Sequence, residues 1–347
     1  ERIVIRMAGR YSDQQGRGLM SYVARLTCQR QSPIVELSWT HINSETDVEF
    51  TDISSLYLSA THATTMNTVA AAFQDGDGRP QKAMVADLQT QSSATIFQLD
   101  DRRAQCSAPF PAVPGNDKSP QRLDSAVSTS GVHGGLGIAV QKLWQRWPKA
   151  ISAGSNELLI GLLPTQPSEN YGQDLPYYLL YPFLKGKYRS KWGMAFTEKI
   201  LIDVTGNLSR RELSAEADWP LIAVLPAEWY DNCRVFDDIA VPQGKQLSLW
   251  DEWFAKRYDG NMRRREQQRE YGFFNLGDTF GERGRNWTNN EYDFALGQFL
   301  QFLRSGDRRY YRLGMEAARH QADVDIVHAY PDPFYIGSNH QHSIGHT

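Results

Sequence analysis

The stretch Ile34-Val-Glu-Leu-Ser-Trp-Thr-His41 decides how the first and longer part of the chain folds. Its apolar residues Val35, Leu37 and Trp39 alternate with polar ones, and residues 3–7 repeat the pattern. A period of two places one face of a strand in a core and the other in water, as in an antiparallel sheet. The chain is therefore predicted to begin with strands.

The β-rich character continues to about residue 248. Between its two halves, residues 74–135 are rich in Gly, Pro, Ser and Asp, which predicts a loop-rich insertion with one or two short strands. Further strands are predicted at residues 52–58, 136–140, 158–163 and 194–203.

A helical period replaces the strand pattern after Pro242. Residues 249–258 and 290–304 carry apolar side chains at helical spacing, and Asn289 or Asn290 is the expected N-cap of the second helix. Ser305 and Gly306 end that helix, and a third is expected from residue 307 to about 327. The last two helices should form a hairpin.

Length and composition limit the classes of protein. A chain of 347 residues usually forms two domains, and a net charge of −3 provides no basic surface for nucleic acid. No apolar run reaches about 18 residues, so no membrane helix is expected. Cys28, Cys106 and Cys233 form no zinc pattern or disulfide framework; we expect free thiols, with one pair left open for an exported protein. The chain begins with Glu1 and ends in an open loop, so we expect a truncated protein.

Histidines are concentrated near the C-terminal end, where they lie among Tyr, Asp and Asn residues. A catalytic or carbohydrate-binding loop fits these groups. A metal site at His340 and His342 with Asp323 or Asp325, and a plain polar loop, remain alternatives. Five of the eight histidines lie there: His320, His328, His340, His342 and His346.

A second polar cluster lies in the glycine-rich segment 271–293. Its carboxylate, guanidinium, amide and indole groups suit a charged sugar, although a helix connection whose Asn residues act as caps is the alternative. The relevant residues are Asp278, Glu282, Arg283, Arg285, Asn286, Trp287, Asn289, Asn290 and Glu291.

Four segments of the C-terminal part resemble the start of the toroid domain of exo-rhamnogalacturonan lyase-like polysaccharide lyases. We call them the four toroid motifs: residues 271–278, 289–293, 314–325 and 340–346. Upstream, residues 143–149 and 193–197 resemble the central β-sandwich of that family. The resemblance implies a multidomain protein, β then α. An antiparallel β-sandwich at residues 1–248 would be followed by the first helices of a truncated (α/α) toroid at 249–347, in an extracellular or periplasmic protein.

The activity implied by the resemblance is cleavage of a rhamnose–uronate polysaccharide, of the rhamnogalacturonan type, by β-elimination. A base must take the C5 proton, an acid must protonate the leaving oxygen, and the uronate carboxylate must be neutralised. Residue chemistry on the family-like motifs makes His340 and His342 the candidate bases and Tyr292 and Tyr335 the candidate acids. The candidate substrate-binding residues are Asp278, Arg285, Trp287, Asn289, Asn290, Glu291 and Asn339.

Two other functions remain open at this point. Paired carboxylates such as Asp278 and Glu291 would also suit a glycoside hydrolase on a similar toroid. A non-catalytic carbohydrate-binding fragment is the second alternative. No cofactor is firmly implied, although a divalent cation such as calcium would be compatible. The expected partner is the polysaccharide, without nucleic acid or membrane, and the oligomeric state is left open.

Overall fold

The computed structural model describes most of the chain. The described residues are 1–63, 65–75, 78–79, 81–91, 93–111, 120–237, 239–241, 247–281, 286–341 and 343–346. They form two compact units. Unit 1 comprises Glu1–Pro220, Gly272–Phe274 and Ile326–Asn339; unit 2 comprises Leu221–Tyr271, Asn275–Asp325 and His340–Thr347. The domain boundary at residues 248 and 249 stays a prediction.

Unit 1 consists mainly of strands. They are β1 (Arg2–Ser12), β2 (Gly18–Gln29), β3 (Ile34–Ile42), β4 (Phe50–Ile53), β5 (Leu56–Thr61), β6 (Met66–Ala71), β7 (Phe73–Gln74), β8 (Met84–Asp87), β9 (Ser93–Gln98), β10 (Ala104–Cys106), β11 (Arg122–Leu123), β12 (Ala126–Gly131), β13 (Gly134–Val140), β14 (Lys149–Gly154), β15 (Glu157–Leu163), β16 (Phe183–Leu184), β17 (Lys187–Lys191) and β18 (Ala195–Asp203). One α-helix, α1 (Arg210–Asp218), and 3-10 turns at Tyr177–Leu179 and Pro333–Tyr335 complete the described elements.

Two antiparallel sheets share the core of unit 1. One has eight strands in the order β1-β2-β3-β18-β13-β12-β6-β8, and the other has five in the order β10-β9-β14-β15-β5. Ile138 and Ile200 of the larger sheet lie in one apolar cluster with Ile96, Ile151 and Ile160 of the smaller sheet. Burial of apolar area on both inner faces stabilises such a pair of sheets. The predicted antiparallel β-sandwich is confirmed.

The first strand differs from its prediction in burial. Ile3, Ile5 and Met7 are 64%, 54% and 40% exposed, so the expectation of a buried face on this strand is wrong. The reason is that β1 is the edge strand of the larger sheet and extends past the core. In contrast, Leu37 and Trp39 of β3 are partly buried and pack against the apolar core cluster.

Residues 74–135 contain more structure than the one or two short strands predicted. Their described part includes β8 to β12, with β9 inside the smaller sheet and β12 inside the larger one. These strands are at most six residues long and alternate with turn residues, so their composition resembles that of a loop.

Helix α1 lies in a region where the sequence predicted only strands. Ser209 caps it through the backbone N–H of Glu212, and the Glu212 side chain accepts from the Ser209 backbone N–H. This capping box is a sequence signal for a helix start. Leu213 and Ala217 of α1 then pack on Leu201 of the larger sheet.

Three charged side chains are buried together in unit 1. The Glu198 carboxylate is fully buried and lies 3.1 Å from Arg146 Nη2 and 3.2 Å from Lys149 Nζ. Lys149 Nζ also donates to the carbonyl oxygens of Arg146 and Leu162. Burial opposes the charge on Glu198, but Arg146 and Lys149 outweigh it and hold its pKa below the usual value. Burial lowers the pKa of Lys149 to about 8, although Glu198 acts in the opposite direction.

Unit 2 consists mainly of helices. They are α2 (Ala227–Asn232), α3 (Ser248–Gln268), α4 (Phe294–Ser305) and α5 (Arg308–His320), with a 3-10 turn at Glu291–Asp293, a π-helix at Gln321–Asp325 and the short strands β19 (Phe280–Gly281) and β20 (Asn286–Trp287). No helix in the described part of either unit is both long and apolar enough to cross a membrane.

The three helices predicted in the C-terminal part are present, with shifted ends. Helix α4 begins later than predicted because Asn290 and Asp293 have positive φ angles, which interrupt helical geometry before Phe294. Gly306 ends α4 at a φ of +69°, and Asp307 caps α5, so the predicted hairpin is confirmed. In the described residues these few helices form no closed ring.

Candidate functional site

Four buried side chains of unit 2 converge on one point. Asp278, His320, Asp325 and His346 each place one nitrogen or oxygen atom within 4.8 Å of the others, and all four residues are buried. We call them the Asp/His cluster. They come from three separate segments: the loop after α3, the end of α5, and the segment after residue 340. A group of imidazole and carboxylate donors at this spacing is able to hold a metal ion.

The carboxylate of Asp278 is oriented by the residues around it. One oxygen accepts from the Thr279 backbone N–H at 2.7 Å and the Thr288 hydroxyl at 2.5 Å. The other accepts from the Asn289 backbone N–H at 3.0 Å. These bonds fix the direction in which Asp278 faces the histidines.

Glycine is required immediately before Asp278. Gly277 has a φ of +105°, and a Cβ atom there would lie 2.2 Å from the Glu316 carbonyl oxygen of α5. Only a residue without a side chain permits this close approach. The approach brings the Asp278 loop against the helix that carries His320.

A π-helical turn at the end of α5 brings His320 and Asp325 together. His320 is the last residue of α5, and the π-helix Gln321–Asp325 follows directly. This wider turn brings Asp325 Oδ1 to 3.2 Å from His320 Nε2, which is also 3.6 Å from Asp278 Oδ2. Such π segments are frequent at functional sites because they redirect a side chain within a helix.

His346 completes the cluster from the far end of the chain. Its Nδ1 lies 3.0 Å from Asp325 Oδ1, and its Nε2 lies 4.0 Å from Asp278 Oδ2. Burial alone would lower the pKa of His320, but Asp325 and Asp278 outweigh it and raise that pKa above its usual value. Burial likewise disfavours charge on Asp325, yet His320 holds its pKa well below the usual range. The pair of His320 and Asp325 therefore favours a negative carboxylate facing a positive imidazole.

A cavity of unit 2 lies on one side of Asp278. Arg265 and Glu270 also line it, and Arg265 pairs with Glu316 at 2.8 Å. Burial raises the pKa of Glu270 to about 7. This carboxyl group exchanges its proton near neutral pH, a property of general acids and bases. Sequence reasoning did not select it, since it follows a long charged helix.

Three of the predicted substrate-binding residues lie inside unit 2 beside the cluster. Asn289 donates to the Gln341 carbonyl oxygen and Asn290 to the Ala317 carbonyl oxygen, each at 3.2 Å. Trp287 is fully buried. These side chains hold the loop against its neighbours and present no open surface to a sugar.

The predicted catalytic residues of unit 2 differ from one another in exposure. His340 is 7% exposed and its backbone N–H donates to the Asp325 carbonyl oxygen at 2.6 Å. Tyr292 is 95% exposed, and the neighbouring Glu291 is exposed as well. His342, a predicted base, and Arg285, predicted to bind substrate, lie outside the described residues.

Two predicted residues belong to unit 1. Tyr335 is 48% exposed and makes an edge contact with Tyr330. Asn339 is exposed and pairs with Ile326 through an isolated β-bridge. Their roles as acid and substrate ligand stay predictions.

The metal alternative considered from the sequence shares one residue with the cluster. It combined His340 and His342 with Asp323 or Asp325; the structure places Asp325 beside His320 and His346. Asp323 lies 3.6 Å from Arg319. Residues five apart do not share a face of an α-helix, so the spacing of His320 and Asp325 gave no signal without the π turn.

Comparison with known proteins yields one similar sequence. The chain is 25% identical over 248 residues to the uncharacterized protein YetA of Bacillus subtilis (strain 168). The match covers 62% of this chain and 28% of that relative, so the chain corresponds to a minor part of its length. No protein-family model matches the chain.

Three solved structures show distant similarities to this chain. The Slr1438 protein of Synechocystis sp. PCC 6803 aligns over 59% of this chain and 62% of its own, with 8% identity and a TM-score of 0.28. A putative aldose 1-epimerase of Escherichia coli K12 aligns over 57% and 64%, with 6% identity and a TM-score of 0.28. A galactose mutarotase related enzyme of Lactobacillus acidophilus aligns over 61% and 70%, with 10% identity and a TM-score of 0.23. These scores are too low to carry an argument about fold or activity.

Proposed function

We propose that this chain is part of a polysaccharide lyase that cleaves a rhamnose–uronate polysaccharide by β-elimination. One observation carries the proposal: the four toroid motifs converge on the Asp/His cluster. The first motif supplies Asp278, the second the N–H of Asn289 that binds it, the third His320 and Asp325, and the fourth His346. Segments that resemble one family and also build one centre support a shared origin for that centre.

The remaining features of the family follow as part of the same proposal. Helices α3, α4 and α5 would be the first helices of an α/α toroid that continues in further sequence. The substrate would be a rhamnogalacturonan-type polysaccharide, encountered outside the cell or in the periplasm. The similarity to a protein more than three times the matched length is compatible with additional domains.

The proposed chemistry gives roles to His340 and Tyr292. A neutral His340 imidazole would take the C5 proton, the C4–O bond would break to form the C4–C5 double bond, and the Tyr292 hydroxyl would protonate the departing oxygen. Asp278, Asn289 and Asn290 are buried, so in this proposal they support the site from inside unit 2.

The test is an assay of the full-length protein that contains this chain, with rhamnogalacturonan as substrate, and it follows the ultraviolet absorbance of the unsaturated product. The His340→Ala variant should lose at least about 100-fold in rate, the usual contribution of a general base. His133→Ala, at an exposed position of unit 1, is the matched control and should retain full activity.

Three outcomes would contradict the proposal. New reducing ends without an unsaturated product would identify a hydrolase. Undiminished turnover by the His340→Ala variant would remove that residue from the role of base. Absence of unsaturated product with the full-length protein that contains this chain, under conditions in which it is folded, would overturn the lyase assignment itself.

A further inference from the structure

We propose that Asp278, His320, Asp325 and His346 bind one divalent transition-metal ion, with zinc the ion that fits the donors best. The inference concerns metal content and is independent of the proposed activity. It starts from four buried side chains that have no catalytic assignment and that meet at a single point in unit 2.

The four donor atoms lie within 4.8 Å of one another, and the distances from His320 to the two carboxylates are close to those around a small ion. Bonds of about 2.0–2.1 Å in a tetrahedron place neighbouring ligand atoms about 3.3 Å apart. His320 Nε2 lies 3.2 Å from Asp325 Oδ1 and 3.6 Å from Asp278 Oδ2. Side-chain movements of a few tenths of an ångström would bring these atoms into a coordination shell.

Several polar atoms of the Asp/His cluster make no aligned hydrogen bond within the described residues, and a metal ion would satisfy them. Asp325 is fully buried, and its Oδ1 lies 3.2 Å from His320 Nε2 and 3.0 Å from His346 Nδ1, yet neither contact aligns an N–H with the oxygen. The Nε2 atom of His320 also lacks a partner with hydrogen-bond geometry among those residues, although it lies close to two carboxylates. Buried charged groups are costly unless they are paired, hydrogen-bonded or bound to a metal.

The competing explanation is a proton-linked cluster in which two imidazolium rings neutralise two carboxylates. An ion pair between His320 and Asp325 would ordinarily align an N–H with an oxygen, because a charge-assisted hydrogen bond is the stronger arrangement. The contact at 3.2 Å is close enough but fails that alignment. If His320 Nε2 and Asp325 Oδ1 both direct lone pairs at one metal ion, the two atoms lie equally close without an N–H aligned between them.

The donor set selects the kind of ion. Two imidazole nitrogens and two carboxylate oxygens suit zinc and neighbouring first-row metals, whereas calcium takes six to eight oxygen ligands. Calcium was the cation considered from the sequence, and this donor set argues against it at the cluster. Two carboxylates with two neutral imidazoles also balance the charge of a divalent ion.

The surroundings indicate a structural role for the ion. Four protein ligands and full burial leave no open position for water or substrate, which is typical of a structural zinc site. The bonds from Thr279, Thr288 and Asn289 to Asp278 provide the outer support that such ligands usually have. Binding would fasten the segment that carries His346 to the end of α5.

The experiment measures metal in the whole chain purified without chelator, by elemental mass spectrometry. About one zinc ion per chain is expected. After chelation, zinc should restore the midpoint of thermal unfolding and calcium should not. Cobalt added to the chelated protein should give the visible absorption of a tetrahedral site. Absence of stoichiometric metal, even after refolding with zinc, would overturn the proposal.

Variants test the ligands individually. Asp325→Asn should reduce zinc affinity at least about 100-fold. Asp293→Asn, at an exposed position of unit 2, should bind as the unaltered chain does. Wild-type affinity in Asp325→Asn would contradict the assignment. If that variant does not fold, the cobalt spectrum of the unaltered chain decides: an octahedral spectrum or none would exclude the proposed site.

Discussion

Replacing Glu198 by Gln tests the buried charges of unit 1. The amide keeps the shape of the side chain but removes the negative charge between Arg146 and Lys149, whose nitrogens lie 3.1 and 3.2 Å away. Two buried cations would then remain without their counter-charge. Removing one partner of a buried ion pair typically costs about 3–5 kcal/mol of unfolding free energy. We expect a loss in that range at neutral pH.

The loss should depend on pH through Lys149. Its pKa is about 8 in the fold against 10.5 in the unfolded chain, so the unfolded state binds more protons between these values. In the unaltered protein this contribution to stability therefore rises with pH from 8 to 10.5 and is constant below 8. Without Glu198 the folded pKa falls further, and the variant continues to lose stability as the pH decreases below 8.

The assay is urea unfolding followed by tryptophan fluorescence at about pH 7 and about pH 9. The cost of Glu198→Gln should be larger at the lower pH. Glu157→Gln, at an exposed position of β15, is the control and should change stability by less than about 0.5 kcal/mol. A cost that is equal at both pH values, or smaller than that of the control, would refute the reasoning.

Two further substitutions test local features by the same unfolding measurement. Ser209→Ala removes the side-chain cap of α1 and should cost about 1 kcal/mol; an unchanged midpoint would show that the bond to Glu212 contributes nothing. Gly277→Ala would place a Cβ atom 2.2 Å from the Glu316 carbonyl oxygen and should cost more than about 3 kcal/mol, whereas Gly260→Ala, with no atom within 4 Å, should stabilise α3 by about 0.5–1 kcal/mol. Similar effects of the two glycine substitutions would contradict the close approach.

Local sequence patterns predicted the type of an element correctly where its apolar residues recur with the period of a strand or a helix. The alternation at Leu37 and Trp39 and the helical period around α4 correspond to a strand and a helix in the structure. The exposure of Ile3 and Ile5 could not be predicted, because it depends on the position of β1 at the edge of the sheet. The capping box at Ser209 is the sequence signal for α1. It was missed because the strand pattern of the preceding residues was extended through this region.

The region of the candidate site was predictable, but of its four residues the sequence assigned roles only to Asp278, as a sugar ligand, and to Asp325, as an alternative metal ligand. The sequence placed the chemistry at residues 271–346, where the Asp/His cluster lies. Asp278 and His346 are far apart in sequence, and only the fold brings them together. His320 and Asp325 meet through a π turn that no helical period predicts. Trp287 was expected to contact sugar but is buried. The sequence could not decide between these roles, because an aromatic side chain in a polar loop is equally suited to a sugar platform and to a core.

The order of strands in the larger sheet has a consequence during synthesis of the protein. Strand β3 ends at Ile42, but its partner β18 begins only at Ala195. At about 5–20 residues per second, a ribosome needs roughly eight to thirty seconds to make the intervening segment. Throughout that time the edge of β3 that pairs with β18 lacks its partner strand on the emerging chain. A nascent chain with an open strand edge is prone to pair with its neighbours on a polysome, so its yield should depend on chaperones that bind such edges.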